Sequence, residues 1–422
     1  MLENEDMGLS QFQSGFDRFV REKSLRKSIL GKRVALLAHP ASMSYSNQSA
    51  FGFEHSMDVL LGLAKETREF EVTAAFGPQH GMRGEKQDNM EETENYIDPT
   101  WNIPVFSLYG DVRRPTKEML ETFDVLLVDL QDVGTRIYTF VTTLLYVMEA
   151  GAKFGKRIIV LDRPNPAGRP VEGTLLEPGF ISFVGAAEGL PMRHGLTLGE
   201  LGRWFKSRLS LNVEYEVVEM SGYDPNSAPG FGWPLQELAW VNPSPNAASL
   251  SMARAFPGTV LIEGTHLSEG RGTTRPLETV GADQLEPHQV LQKMRSLAPD
   301  WMKGCLLRPT WFLPTFQKYA GKIVGGFQVH LDTHHYDHEM FKPYRLIALW
   351  LKAIRELDPE YQIWRDFHYE YERNRLAIDL INGGPALREW VDGRGSLPHE
   401  FDARLKKDEA IWLHERQSFL LY

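Results

Sequence analysis

Four short runs, KRVALLAH, EVTAAFG, DVLLVDL and RIIVLD, hold consecutive apolar residues in their middles instead of apolar residues at alternate positions. A strand with one wet face alternates. A strand that is apolar throughout has to be covered on both faces, the condition of a parallel sheet layered between helices. The stretches between the runs supply those helices: HSMDVLLGLAKETREF, RPTKEMLETF, TFVTTLLYVMEAGAKFG and TLGELGRWFKSRL. The last opens on Thr197 with Glu200 three residues on, a capping box. PVFSLYG and VEYEVVEM read as further strands, and Phe12, Phe16, Phe19 and Leu25 give residues 8–30 helical spacing. The alternation predicts a Rossmann-like, doubly wound, mainly parallel α/β sheet. No G-x-G-x-x-G follows the first strand and no P-loop occurs, so nothing supports a nucleotide-dependent oxidoreductase.

Residues 223–258 are rich in Pro, Gly, Asn and Ser around the aromatics Phe231, Trp233 and Trp240. AFPGTVLI, continuing into TVLIEG, reads as a buried strand beyond that loop. KIVGGFQVHLD reads as another strand and YRLIALWLKAIRELD as a helix. The expected division is an N-terminal helix (1–30), a Rossmann-like α/β domain (31–256) and a smaller α+β domain (257–422). A chain of 422 residues buries a large core without staples, and its single cysteine, Cys305, excludes an intramolecular disulfide. The net charge of -10 comes with no basic block, which argues against nucleic acid as a partner. No apolar run is long enough to span a membrane, and the acidic MLENED start is unlike a signal peptide, so a cytoplasmic location is expected. Nothing in the sequence indicates an oligomeric state.

Ligands of open α/β sheets bind beyond the carboxyl ends of the strands. Four such ends deliver polar residues here: Gln79, His80, Arg83, Asp88 and Glu92; then Asp129, Gln131, Asp132, Arg136 and Tyr138; then Asp162, Arg163 and Asn165; and His39 with Ser42 after the first strand. Each has a plainer reading. Asp162 and Arg163 could close a loop as an ion pair, Asp132 and Thr135 could cap the next helix, His80 could be a hydrogen-bonded loop residue, and Glu91 and Glu94 could be solvated.

The stretch EGTHLSEGRGTTRPLE (263–278) is crowded with charge and glycine directly after an apolar run. It offers Glu263 and Glu269 as carboxylates and Arg271 and Arg275 as cations. Two carboxyl groups facing a cleft suit glycosidic bond cleavage, one protonating the leaving oxygen while the other acts at the sugar carbon or on water. A guanidinium suits an anionic substituent on the sugar. DTHHYDHE (332–339) could hold a metal through His334 and His338, but a polar loop is the more natural reading. No G-x-S-x-G elbow is present.

FGPQHGMRG, SLYG, DLQDVGTRIYTF, LDRPNPAGRPVEG, HGLTLGEL, WVNPSPN and EGTHLSEGRGTTRPLE, in this order, resemble the NamZ-type exo-β-N-acetylmuramidase family of bacteria. The resemblance covers about residues 30 to 340. It implies a Rossmann-like domain, a smaller domain and a cleft between them, and release of N-acetylmuramic acid from the non-reducing end of peptidoglycan-derived sugars. On the combined reading Glu263 and Glu269 are the preferred catalytic carboxylates, with Glu92 in reserve, and Asp132, His80 and Arg136 are expected to orient the sugar or tune the acid. Gln79, His80, Arg83, Gln131, Arg136, Tyr138, Arg163, Asn165, Asn246, Arg271 and Arg275 are the expected sugar contacts, and no metal or cofactor is expected. The lactyl carboxylate of such a substrate would give Arg271, Arg275 or Arg136 a partner. The chain departs from the family pattern at Gln79, where P-E-H-G is usual, and an amide cannot act as a carboxylic acid or base. The EKQDNMEE insert places Asp88 and Glu92 near that position, and His39 stands where asparagine is common. A protein that binds the sugar without cleaving it is the alternative expectation.

Overall fold

The computed structural model describes residues 12–45, 52–84, 86, 91–370 and 372–422. Its largest element is a seven-stranded sheet. Arg33–Ala38 lies at the centre, paired in parallel with Glu71–Gly77 on one side and Val125–Asp129 on the other. Arg157–Leu161 and Glu214–Val218 extend it in parallel beyond Val125–Asp129. Pro104–Ser107 extends the other side in parallel, and the two-residue Tyr96–Ile97 closes that edge antiparallel.

The apolar strands are apolar because both faces are covered. Val34, Leu36, Leu127 and Ile159 pack with Phe16 and Phe19 of helix Gly15–Arg21 and with Met57 and Leu60 of helix Ser56–Thr67. Their neighbours Ala35, Leu37, Val128 and Ile158 point to the opposite face. There they join Leu144 and Met148 of helix Phe140–Phe154 and Leu201 and Trp204 of helix Leu198–Arg208. Alternate residues of one strand thus feed two cores, as the period of two requires.

Helix Leu198–Arg208 starts as expected: the Thr197 hydroxyl accepts from Glu200 N and the Glu200 carboxylate accepts from Thr197 N at 2.9 Å. Thr197 Oγ1 also donates to Asp162 Oδ2 at 2.6 Å, and Asp162 Oδ1 accepts from Gly199 N. Losing a cap costs about 1 kcal/mol. Thr197→Ala is expected to destabilise by about 1–2 kcal/mol in urea unfolding. An unchanged midpoint would show that Asp162 alone caps the helix.

Three elements differ from expectation. The helix predicted over residues 8–30 is split into Gly15–Arg21 and a 3-10 segment, Lys23–Ile29, and residues 8–11 lie outside the described residues. The helix expected in RPTKEMLETF is a single turn, Lys117–Leu120. The run AFPGTVLI is not a strand. It ends helix Leu250–Thr259, which passes into the 3-10 segment Val260–Gly264. Ser249 starts the helix by accepting from Met252 N at 2.9 Å. From Met252 to Gly264 every residue is buried, so no polar face reveals a helical period and the run mimics a core strand. Gly258 is needed where this helix meets helix Pro343–Leu357: a Cβ there would stand 1.9 Å from the Pro343 carbonyl oxygen.

The helix crosses the position expected for a domain boundary, and one apolar core runs from Ala35 to Trp412. A three-stranded antiparallel sheet follows, with Val324–His330 between Thr279–Ala282 and Leu306–Phe312. Helix Pro343–Leu357 packs against it through Trp350 and Phe327. The long helix Pro398–Arg416 returns to the first half of the chain. Trp412 meets Trp204 edge-to-face at 5.0 Å and donates to His194 O, and Arg416 donates to Arg169 O. No helix among the described residues is long and apolar enough to cross a membrane.

Candidate active site

A small pocket opens beyond the carboxyl ends of the central strands. Gln79 and His80 reach it from the turn after Glu71–Gly77, and Tyr138 and Thr139 from the loop after Val125–Asp129. Ser244 and Asn246 close one side, and Glu263 and Arg271 another. Tyr369 and Glu370 come from far along the chain. The WVNPSPN loop is tied to the sheet edge by His39, whose Nε2 accepts from Gln131 N while its Nδ1 meets Pro243 O. Burial pushes the His39 imidazole well below its usual range, which suits this neutral two-sided role.

Two carboxyl groups line the pocket in unlike settings. Glu263 Oε1 accepts from Arg271 Nη2 at 2.6 Å and its Oε2 accepts from the Tyr369 hydroxyl at 2.8 Å. Among the described residues no cation pairs with Glu370, and its two oxygens lie 2.9 and 3.0 Å from the Tyr109 hydroxyl. Burial pushes Glu370 up to about 7; Tyr109 and Arg113 oppose this and the charge of Glu263 adds to it. A carboxyl held near 7 is poised to carry a proton at neutrality. Neither Tyr369 nor Glu370 was expected from the sequence. Their only signal is an acid between tyrosines in FHYEYE, with no strand before it to mark a ligand edge.

Glu269 lies behind the pocket instead of in it. Its Oε2 accepts from Lys318 Nζ at 2.9 Å and its Oε1 stands 3.2 Å from Arg271 Nε. Burial pushes its carboxyl up, but Lys318 and Arg271 outweigh that and hold it below its ordinary value. It stays ionised and supports Arg271, so the geometry does not make it a proton donor. Lys318 also donates to Ile262 O and Leu267 O, which pins the segment carrying Glu263.

Of the other expected sugar contacts, Gln79, His80, Tyr138, Asn246 and Arg271 meet at the pocket. Gln79 Oε1 accepts from Thr139 Oγ1 at 2.7 Å. The remaining ones do not line it. The Arg136 guanidinium is fully buried and donates to four carbonyls, of Thr174, Leu190, Ile381 and Asn382. Arg163 pairs with Asp129, not with the neighbouring Asp162, and also donates to Met43 O. The Gln131 amide donates to Asp132 O and Pro164 O, and the Asn165 amide to Gly168 O and Leu196 O. Arg83 pairs with Asp98 and stacks on Trp101. Arg275 is half exposed beside Glu278. Glu92 is exposed and 3.5 Å from Arg113, and Asp88 lies outside the described residues. Arg136, Arg163, Gln131 and Asn165 are polar because the buried loops after the strands need hydrogen-bond partners, the plainer of the two readings. Asp132 is more than nine-tenths buried and is not part of the pocket lining, with Oδ2 accepting from Gly134 N.

The histidines of DTHHYDHE do not converge. His334 and His335 are exposed, while His338 is buried, stacked on Phe231 and hydrogen-bonded to Tyr336. No cluster with metal-ligand chemistry occurs among the described residues.

Models of the exo-β-N-acetylmuramidase NamZ N-terminal and C-terminal regions match residues 34–251 and 254–422. The chain belongs to the NamZ family. It is 36% identical over 420 residues to the peptidoglycan β-N-acetylmuramidase NamZ of Bacillus subtilis (strain 168), covering 99% of this chain and 93% of that protein. Two crystal structures of DUF1343 family proteins from Bacteroides fragilis share the fold. One has a TM-score of 0.81 at 27% identity and covers 98% of this chain and all of that one. The other has a TM-score of 0.72 at 27% identity, with 98% and 99% covered. Family membership thus agrees with the resemblance in the sequence motifs, and those motifs supply most of the pocket.

Proposed function

We propose that this NamZ-family chain is a glycoside hydrolase that releases N-acetylmuramic acid from the non-reducing end of peptidoglycan-derived fragments. The observation that carries the reading is one pocket with two carboxyl groups in unlike settings. Glu370 is the general acid that protonates the leaving glycosidic oxygen. Glu263, oriented by Arg271 and Tyr369, is the carboxylate that acts at the sugar carbon or on water. Arg271 is the one expected arginine that reaches the pocket wall, and it is our candidate partner for the lactyl carboxylate. The cleft is read as lying between a Rossmann-like domain (31–256) and an α+β domain (257–422), since its lining draws on both. The non-catalytic alternative rested on Gln79, and Glu370 supplies a protonated carboxyl to the same pocket without it.

The test compares a chromogenic β-N-acetylmuramide with the matching β-N-acetylglucosaminide. Release from the muramide alone is expected, with Glu263→Gln lowering kcat by about 10²–10⁴-fold. Equal hydrolysis of both sugars would overturn the muramic assignment, and no hydrolysis of either would overturn the enzyme reading.

A further inference from the structure

Glu370 is held in an unusual way. Its φ of 46° lies in the left-handed region, which a residue with a side chain keeps only when its surroundings fix it. Its carboxyl faces a single hydroxyl, with the two oxygens 2.9 and 3.0 Å from that of Tyr109. Tyr109 is fixed in turn. Its N donates to Ser107 Oγ at 3.0 Å, its O accepts from Thr93 N at 2.9 Å, and its ring is buried against Phe183.

Over that ring sits a cation. The Arg113 guanidinium lies 3.8 Å from the Tyr109 ring centroid and 5.7 Å from that of Phe183, and its Nη1 donates to Gly110 O at 2.6 Å. Its Nη2 stands 3.5 Å from Glu92 Oε1, so the acid held in reserve as a catalyst is a partner of Arg113 instead. A cation over the face of a phenol is attracted to the ring and strengthens its hydroxyl as a donor. A stronger donor favours the ionised form of the carboxylate that accepts from it. Glu370 also faces its neighbour Tyr369, Glu263 from the 3-10 segment, and His80 and Arg271 in the same pocket lining. Burial favours the neutral acid; Tyr109 and Arg113 oppose it, and the Glu263 charge adds to it.

We propose that Arg113, acting through Tyr109, is a positioning residue that orients Glu370 and sets the pH range in which it can donate. The run Glu92, Arg113, Tyr109, Glu370 then leads from the surface to the pocket, and the first three act without touching the sugar. The inference rests on the reading of Glu370 as the general acid and specifies what tunes it.

The test follows the Glu370 carboxyl itself, by carbon NMR of protein made with carboxyl-labelled glutamate, its signal assigned by its loss in Glu370→Gln. Arg113→Gln removes the charge but keeps a donor for Gly110 O. It should move the Glu370 titration upward by about 0.5–1 pH unit. Tyr109→Phe keeps the ring, removes the donor and should move it the same way. Arg113→Lys keeps the charge and should lie closer to the wild type than Arg113→Gln does. With a sugar leaving group, the alkaline limb of kcat should move upward in step with the signal. An unmoved signal in Arg113→Gln or in Tyr109→Phe would overturn the proposal. Equal movement in Arg113→Gln and Arg113→Lys would overturn it too, since packing alone would then account for the effect. If Arg113→Gln fails to fold, Tyr109→Phe decides by the same criterion. A signal that moves while no sugar is cleaved, or while the limb of kcat stays in place, would uphold the control of Glu370 and sink the general-acid reading alone.

Discussion

Glu370→Gln is expected to lower kcat by about 10²–10⁴-fold on substrates with a sugar leaving group, and less on an activated phenol. A sugar alkoxide departs only with a proton, whereas an activated phenolate departs with little help. The wild-type rate should fall as pH rises through about 7, where Glu370 loses its proton, and the variant should lack that alkaline limb. The same group leaves a mark on stability. Its folded value is raised above the ordinary 4.5, so its stabilisation is complete below that value and is lost as pH rises through about 7. The decline in melting temperature between pH 5 and pH 8 should therefore be shallower in the variant. An unaltered pH profile with near-normal kcat would remove Glu370 from the mechanism.

Lys318→Met should cost about 3–5 kcal/mol in urea unfolding, the expected result of leaving a buried carboxylate without its cation. Glu269, Arg271, Glu263 and Lys318 form a run of two acids and two bases, all nearly buried. Removing Lys318 strips Glu269 of its closest cation and Ile262 O and Leu267 O of a donor. The double change Lys318→Met with Glu269→Gln should recover part of the loss, since the uncompensated charge goes with it. Equal destabilisation in the single and double variants would show that the carbonyl contacts, not the charge, carry the effect.

The parallel strands were readable because their code is simple: two buried faces leave no polar position, and Glu71–Gly77 emerged with the expected bounds. The Thr197 cap was equally local. The same simplicity misled at AFPGTVLI, where a helix buried on all sides is as apolar as a strand. Within the site, Glu263 and Arg271 stood out as charges crowded after an apolar run. Arg136 and Arg163 had the same signature, yet their guanidiniums satisfy backbone carbonyls and an internal carboxylate. Sequence cannot tell a cation that grips a ligand from one that grips the fold, because both sit at strand ends. Glu370 was missed for the opposite reason. Its setting is made by Tyr109, 261 positions earlier, and no local pattern carries that distance.

The return of the last long helix sets a timetable for the chain's birth. The Trp204 face of the large sheet is finished only when Trp412 arrives. The last strand of that sheet ends at Val218, and ~190 residues separate it from Trp412, or about 10–40 s of synthesis at usual ribosome speeds. For that interval Trp204 and its neighbours form an apolar surface awaiting its cover. A ribosome-bound chain stalled short of Trp412 should be a good client for a holdase chaperone, and one extended past Arg416 a poor one.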